Sequence, residues 1–166
     1  MRPDNIFIYI GNARPHKQLQ VVLDAFVKLS EYKLLLVGSC CESKIVKNMK
    51  HISNIKTLGF VDDSQKIQLL ESVSGLILCS SYEGCGVPVL EMLATGGRCI
   101  ISNGGALKEF QGVNFVKCNS KLEDIVKAVR SFKALDFDQA EALQYLDKYG
   151  ISSFDNAISK LLKRCI

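Results

Sequence analysis

Short apolar runs alternate with helically spaced apolar residues along almost the whole chain. Asn5 to Ile10 reads as a strand. From Leu19, apolar residues fall at 19, 22, 23 and 26, the spacing of one helix face. LLLVG (34–38) is a continuous apolar run of the kind buried on both faces of a sheet. A weaker helical pattern covers 42–50, and NIKTLGF (54–60) predicts a third strand. Asp62, with Gln65 three residues on, predicts a capped helix with apolar positions at 67, 70 and 73. LILCS (76–80) is the most strand-like run in the chain, and a helix is expected from Val87 to Thr95. RCIIS (98–102) and NFVKC (114–118) predict two more strands. Ser120 and Glu123 have capping-box spacing, ahead of a helix with apolar positions 122, 125, 126 and 129. Two further helices are expected near 136–148 and 153–164.

Buried strands alternating with helices imply a parallel sheet covered on both faces. Six such strands suit an α/β, doubly wound, Rossmann-like sheet of order 3-2-1-4-5-6, in one domain spanning 1–166. In that order strands 1 and 4 are neighbours, and a ligand crevice opens beyond their carboxyl ends. The loop after strand 1 is GNARPHK (11–17), and the loop after strand 4 is SSYEGCG (80–86). Topology alone therefore sets these two loops face to face.

Each loop carries chemistry. GNARPHK offers Gly11, then Arg14 and Lys17 on either side of Pro15-His16. Pro15 suits a first helical turn, where Arg14 and Lys17 could clamp an anion with the help of the helix end. The same residues also fit an ordinary solvated basic loop, and the spacing does not separate the two readings. In EGCGVPVLE (83–91), Gly84 and Gly86 let backbone approach a ligand closely, and Pro88 fits a first turn. Glu91 falls near that turn, where a glutamate also complements the helix dipole. Glu83 ends a buried strand, a place with no dipole role, so its use is to accept hydrogen bonds from hydroxyls. A cationic clamp facing two carboxylates is the chemistry of a nucleotide-diphosphate sugar.

Composition narrows the alternatives. The 166 residues are 48% hydrophobic and 23% charged, a globular balance with no apolar run long enough to span a bilayer. The net charge of +4 is spread along the chain without interleaved aromatics, so no nucleic-acid partner is expected. Seven cysteines, Cys40, Cys41, Cys79, Cys85, Cys99, Cys118 and Cys165, form no C-x-x-C pair and read as reduced, intracellular thiols. His16 and His51 lack ligand-like spacing, so no metal site is expected. Asp136-Phe137-Asp138 spells D-x-D but precedes a late helix, where capping is the better account. The absence of G-x-x-x-x-G-K-[ST], and of G-x-G-x-x-G after strand 1, argues against a triphosphatase and a nicotinamide enzyme. Ser80, Ser81 and Cys85 lack the G-x-S-x-G frame of a nucleophile.

These residues resemble a known family. From Ile8 to Phe154 the chain is similar to the C-terminal, donor-binding domain of GT-B retaining glycosyltransferases of family 4, the group 1 glycosyl transferases. YIGNARPHKQLQVVLDAF resembles that family's first strand, basic loop and helix; LLLVG and LGFVDD fall at its second and third strands. SSYEGCGVPVLEMLATG resembles its E-x7-E signature, ISNGGALKEF its next strand and loop, and YGISSF its late segment. The resemblance implies that Arg14 and Lys17 bind the donor diphosphate and stabilise the leaving group. It implies that Glu83 holds the transferred hexose, with Gly84, Cys85 and the amides of Gly86 and Val87 around it. Glu91 would hold the ribose, the base would lie near Gly38 and Phe60-Val61, and Gly11 would belong to the donor-binding surface. It further implies metal-independent transfer with retention and no cofactor beyond the donor, GDP-mannose or a UDP-sugar. The acceptor would be a glycan or lipid-linked, as in polysaccharide biosynthesis, met in the cytoplasm or at the cytoplasmic face of a membrane.

The sequence departs from the family at Cys85, usually Phe, at Arg98-Cys99, usually Pro-Val, and at Lys108, usually Pro. The first strand also begins almost at Met1, so the expectation is that an N-terminal acceptor domain acts in cis or as a separate chain. A face left open at the cleft would then favour self-association. A non-catalytic nucleotide-sugar-binding or assembly module, and a GT-B-like sugar-nucleotide epimerase, are the alternatives.

Overall fold

The structure is a computed structural model that describes residues 2–150. The expected helix near 153–164, Cys165 and the end of YGISSF lie outside the described residues. Six strands form one sheet: β1 (Ile6–Ile10), β2 (Lys33–Val37), β3 (Ile55–Gly59), β4 (Gly75–Leu78), β5 (Arg98–Ile101) and β6 (Phe115–Lys117). All pairings are parallel, in the order β3-β2-β1-β4-β5-β6 that the alternation predicts. The helices are α1 (Leu19–Lys28), α2 (Lys44–Lys47), α3 (Asp63–Ser72), α4 (Val87–Ala94), α5 (Leu122–Ser131) and α6 (Gln139–Tyr149). α1 packs against α5, while α3 packs on α4 and α4 on α6.

Apolar spacing builds these layers. Leu19, Val22, Leu23 and Phe26 are all buried, as are every residue of β4 and β5. Each such large side chain contributes roughly 1.5–3 kcal/mol on burial. Phe7 on β1 meets Phe26 of α1 and Phe132 after α5 edge-on, tying one helical layer to the sheet. Gly75 makes room for this: a Cβ there would stand 2.4 Å from the Phe132 ring.

Polar pegs hold the amino-terminal end of the sheet. Arg2 donates to the carbonyls of Leu70, Val73 and Thr95, gathering the ends of α3 and α4. Buried Arg98 donates to the Val113 and Lys133 carbonyls and lies over the Phe132 ring. The two N–H groups of Asn54 Nδ2 are shared among three carbonyls, those of Phe26, Leu29 and Tyr32. With that end tied down, the carboxyl ends of the strands are left to the loops.

Four local expectations are corrected. The 42–50 pattern divides into a 3₁₀ turn, Ser39–Glu42, and the short α2, capped by Ser43. Ser120 does not cap α5: its hydroxyl donates to the Cys79 carbonyl 2.8 Å away, and Lys121 takes the cap position without a side-chain bond. The backbone turns into the helix at Lys121, extended at φ -114° and ψ 147°, so Ser120 stands one residue too early to cap it. Ile67, expected to face the core, remains 49% exposed while Leu70 and Val73 are buried. The basic residues after β1 are not at the start of α1; Pro15–Lys17 form a separate 3₁₀ turn, and α1 begins only after Gln18, at φ 53°. The helix end therefore lends Arg14 and Lys17 less support than expected. The Asp62–Gln65 box is present in full, with Gln65 N donating to Asp62 Oδ1 and Asp62 N to Gln65 Oε1.

Candidate functional site

The loop after β1 is shaped by its own polar groups. The buried Tyr9 hydroxyl donates to the Asn12 carbonyl at 2.7 Å, and Asn12 Oδ1 accepts from the Arg14 amide at 3.0 Å. Burial, then the nearby Cys40 and Glu83, pushes the Tyr9 hydroxyl well above the usual tyrosine range. Gln18 in the left-handed region marks strain at the end of this loop, a cost of order 1–3 kcal/mol met by the surrounding structure. Gly11 N donates to the Val37 carbonyl and Gly11 O accepts from Cys40 N. Gly38, at φ 97°, faces that carbonyl so closely that a Cβ would lie 2.8 Å from Gly11 O. Gly11 and Gly38, both expected to bind the donor, are thus in close backbone contact.

Across the crevice stands the loop after β4. Ser81 N donates to the His16 carbonyl at 2.7 Å, and Ser81 Oγ reaches the same oxygen at 3.2 Å. Lys17 Nζ meets Glu83 Oε2 at 2.6 Å, and the Ser80 hydroxyl donates to that oxygen from 3.3 Å. The side chains of Lys17 and Glu83 are 12% and 14% exposed, so this pair is largely shielded from solvent. Two residues 66 positions apart, singled out separately in the sequence, are in direct contact.

The loop after β5 forms the wall behind Glu83. Ala106 N donates to the Glu83 carbonyl at 2.8 Å. A Cβ on Gly104 would come within 2.1 Å of Ser80 O, and one on Gly105, at φ 56°, within 2.4 Å of Glu83 O. Gly86, at φ 78°, then starts α4, its carbonyl accepting from Val89 N and Leu90 N. Gly84 and Cys85 are exposed, as are Val87, Tyr82 and Phe60. The Arg14 side chain is exposed, and Val61 is half-buried ahead of α3.

Glu91, in the second turn of α4, is engaged by a residue the sequence reading passed over. Lys66 Nζ meets Glu91 Oε1 at 2.8 Å and Asp63 Oδ1 at 3.1 Å. Hydrogen bonding to Glu91, then to Asp63, raises the Lys66 pKa. Each acid of the E-x7-E stretch thus holds a lysine from a different element. Gly104 and Gly105 lie within ISNGGALKEF, where the double glycine is the sequence signal for this close approach. Asp138 caps α6 by accepting from Glu141 N, and Asp136 lies 3.7 Å from Arg98, so the D-x-D carboxylates have structural duties. Among the described residues, no three His, Cys, Asp or Glu side chains gather as a metal site would require, and no helix is long and apolar enough to cross a membrane.

The family model described as "Glycosyl transferases group 1" matches residues 2–163. The chain is 32% identical over 113 residues to N-acetyl-alpha-D-glucosaminyl L-malate synthase of Bacillus anthracis, covering 64% of this chain and 29% of that protein. It is 29% identical over 115 residues to O-antigen chain mannosyltransferase B of Escherichia coli, covering 63% of this chain and 30% of that one. These matches therefore span less than a third of the length of the curated relatives. Among solved structures, Anabaena Alr3699/HepE in complex with UDP and glucose superposes with a TM-score of 0.79 at 18% identity, covering 96% of this chain and 48% of that chain. Sucrose-phosphate synthase from Thermosynechococcus elongatus gives 0.80 at 16% identity, over 98% of this chain and 46% of that chain. At these identities the structural likeness speaks for the fold.

Proposed function

The chain belongs to the glycosyl transferases group 1 family, and from that premise we propose that its crevice binds a nucleotide-diphosphate sugar and, with an acceptor domain in cis or as a separate chain, transfers the hexose. The observation that carries this reading is the Lys17–Glu83 contact, which brings the cationic loop and the carboxylate loop onto one centre. In the proposed complex the donor diphosphate draws Lys17 away from Glu83 and takes Arg14 as its second cation. Glu83 is then released to accept hydrogen bonds from the hexose hydroxyls, steadied by Ser80 and by the wall at Gly104–Ala106. The amides at the start of α4 add donors, Glu91 takes the ribose diol, and Gly11, Gly38, Phe60 and Val61 flank the base.

Charge develops on the leaving diphosphate as the glycosidic bond breaks. Lys17 and Arg14 sit where that charge appears, so they lower the barrier without a metal. Retention of configuration and a GDP-mannose or UDP-sugar donor belong to the same proposal. The complexes of Alr3699/HepE with UDP and glucose support nucleotide binding in this fold, and the mannosyltransferase relative supports a hexosyl donor. Calorimetric titration with GDP, UDP and ADP, with and without magnesium, tests it on the wild-type chain and on Arg14→Ala and Glu91→Ala. The expected outcome is selective, magnesium-independent binding lost in both variants. A companion melting experiment should show about 2.7 kcal/mol of added stability at 100 times the dissociation constant. Binding to none of the three, or binding indifferent to both substitutions, overturns the proposal.

A further inference from the structure

Lys66 is the least expected member of the site. It lies one turn into α3, its amide donating to the Asp62 carbonyl inside the capping box. Phe60 and Val61 immediately precede that box. The helix end that flanks the crevice beside the proposed base position therefore also reaches α4 and grips Glu91. The grip is one-sided: Lys66 Nζ takes Glu91 Oε1. The Glu91 side chain is 28% exposed, and its bond to Lys66 engages Oε1. A lysine ammonium has three donors. Here one goes to Glu91 while Asp63 pairs with the ammonium at 3.1 Å, and the bond ties the Glu91 carboxylate to the start of α3.

We infer that Lys66 is a positioning residue for the donor's ribose, acting through Glu91. The inference rests on the proposed donor-binding reading of the crevice. Glu91 is a flexible side chain with several rotatable bonds. Left alone, it would have to be ordered by the ligand itself, and that ordering would weaken binding. Held by Lys66 at one oxygen, it presents the other to a vicinal diol in a set orientation. The ordering cost of one such side chain corresponds to about a fivefold change in affinity.

The test separates positioning from simple charge. UDP and GDP are titrated calorimetrically against wild type, Lys66→Met, Lys66→Arg and Glu91→Gln, each beside its 2′,3′-dideoxy analogue. Removing a lysine weakens any anion, so a general charge effect lowers both nucleotides alike. Positioning lowers only the ribose-bearing one. The expected result is a clear wild-type preference for the ribonucleotide, cut about fivefold in Lys66→Met, abolished in Glu91→Gln and largely kept in Lys66→Arg. A wild-type preference left intact or enlarged in Lys66→Met overturns the inference and leaves the donor reading standing, as does equal weakening of ribonucleotide and dideoxy analogue. Failure of wild type to bind either nucleotide, or binding without any ribose preference, removes the donor reading at Glu91 and this inference with it. Melting temperatures of the variants, taken alongside, confirm that each is folded.

Discussion

The Lys17–Glu83 pair offers the sharpest quantitative test of the site. Lys17→Met strands Glu83 in a setting where it is only 14% exposed. Removing one member of a fully buried pair costs about 3–5 kcal/mol. Residual exposure and the remaining Ser80 hydroxyl soften that, which leaves about 2 kcal/mol for Lys17→Met. In a chain of this size that is a fall of roughly 4–8 °C in Tm. Glu83→Gln strands Lys17 instead and should cost a similar amount. The double variant leaves no orphaned charge, so the two costs should fail to add by about 1–2 kcal/mol in a double-mutant cycle. Urea denaturation of the four proteins at matched ionic strength measures this, and saturating nucleotide diphosphate should shrink the coupling as the lysine transfers to the ligand. Costs that add within about 0.5 kcal/mol would refute the reasoning, because contacting groups of this kind couple by more.

Three further outcomes are expected. Gly105→Ala introduces a Cβ 2.4 Å from Glu83 O at a positive φ, so it should lose more than about 2 kcal/mol of stability and most nucleotide binding, measured by denaturation and calorimetry. Cys85 is the exposed thiol among the described cysteines and sits between Gly84 and Gly86; maleimide labelling at Cys85, followed by peptide mapping, should slow when nucleotide is bound and be unaffected by adenine base alone. The folded-state pKa of Lys66 is raised above its ordinary value of 10.5, so its contribution to stability is fully present below that value and lost as pH climbs through the folded pKa. The difference in urea midpoint between wild type and Lys66→Met should hold steady up to about pH 10 and narrow above it; a difference that widens there would contradict the assignment.

The fold was legible in the sequence because its signals are local or topological. Leu19, Val22, Leu23 and Phe26 announce a helix face by spacing alone, and the alternation of elements leaves little choice of strand order. That order sufficed to set GNARPHK against SSYEGCG, and the Ser81–His16 and Lys17–Glu83 contacts follow from it. What escaped was anything decided by a distant competitor. Ser120 satisfies a local box on paper, but the Cys79 carbonyl, 41 positions away, takes its hydroxyl. Lys66 looks like a surface residue on a polar helix until α4 brings Glu91 to it across 25 positions. Gly104 and Gly105 carry no periodic signal; their need for a bare Cα comes from the backbone of Ser80 and Glu83 pressed against them. Gln18 breaks the basic loop from α1 by a left-handed turn that no propensity for glutamine foretells.

A nucleotide diphosphate is expected to enter between the loops after β1 and β4. Amide chemical-shift mapping of the isotopically labelled chain during titration with GDP and UDP tests this residue by residue. The predicted result is a contiguous set of shifts at Gly11, Lys17, Gly38, Val61, Glu83, Gly86 and Glu91, with Asn54, Arg98 and Asn114 at the opposite end of the sheet unmoved. Shifts gathered around those last three residues, or no saturable shifts at all, would contradict it.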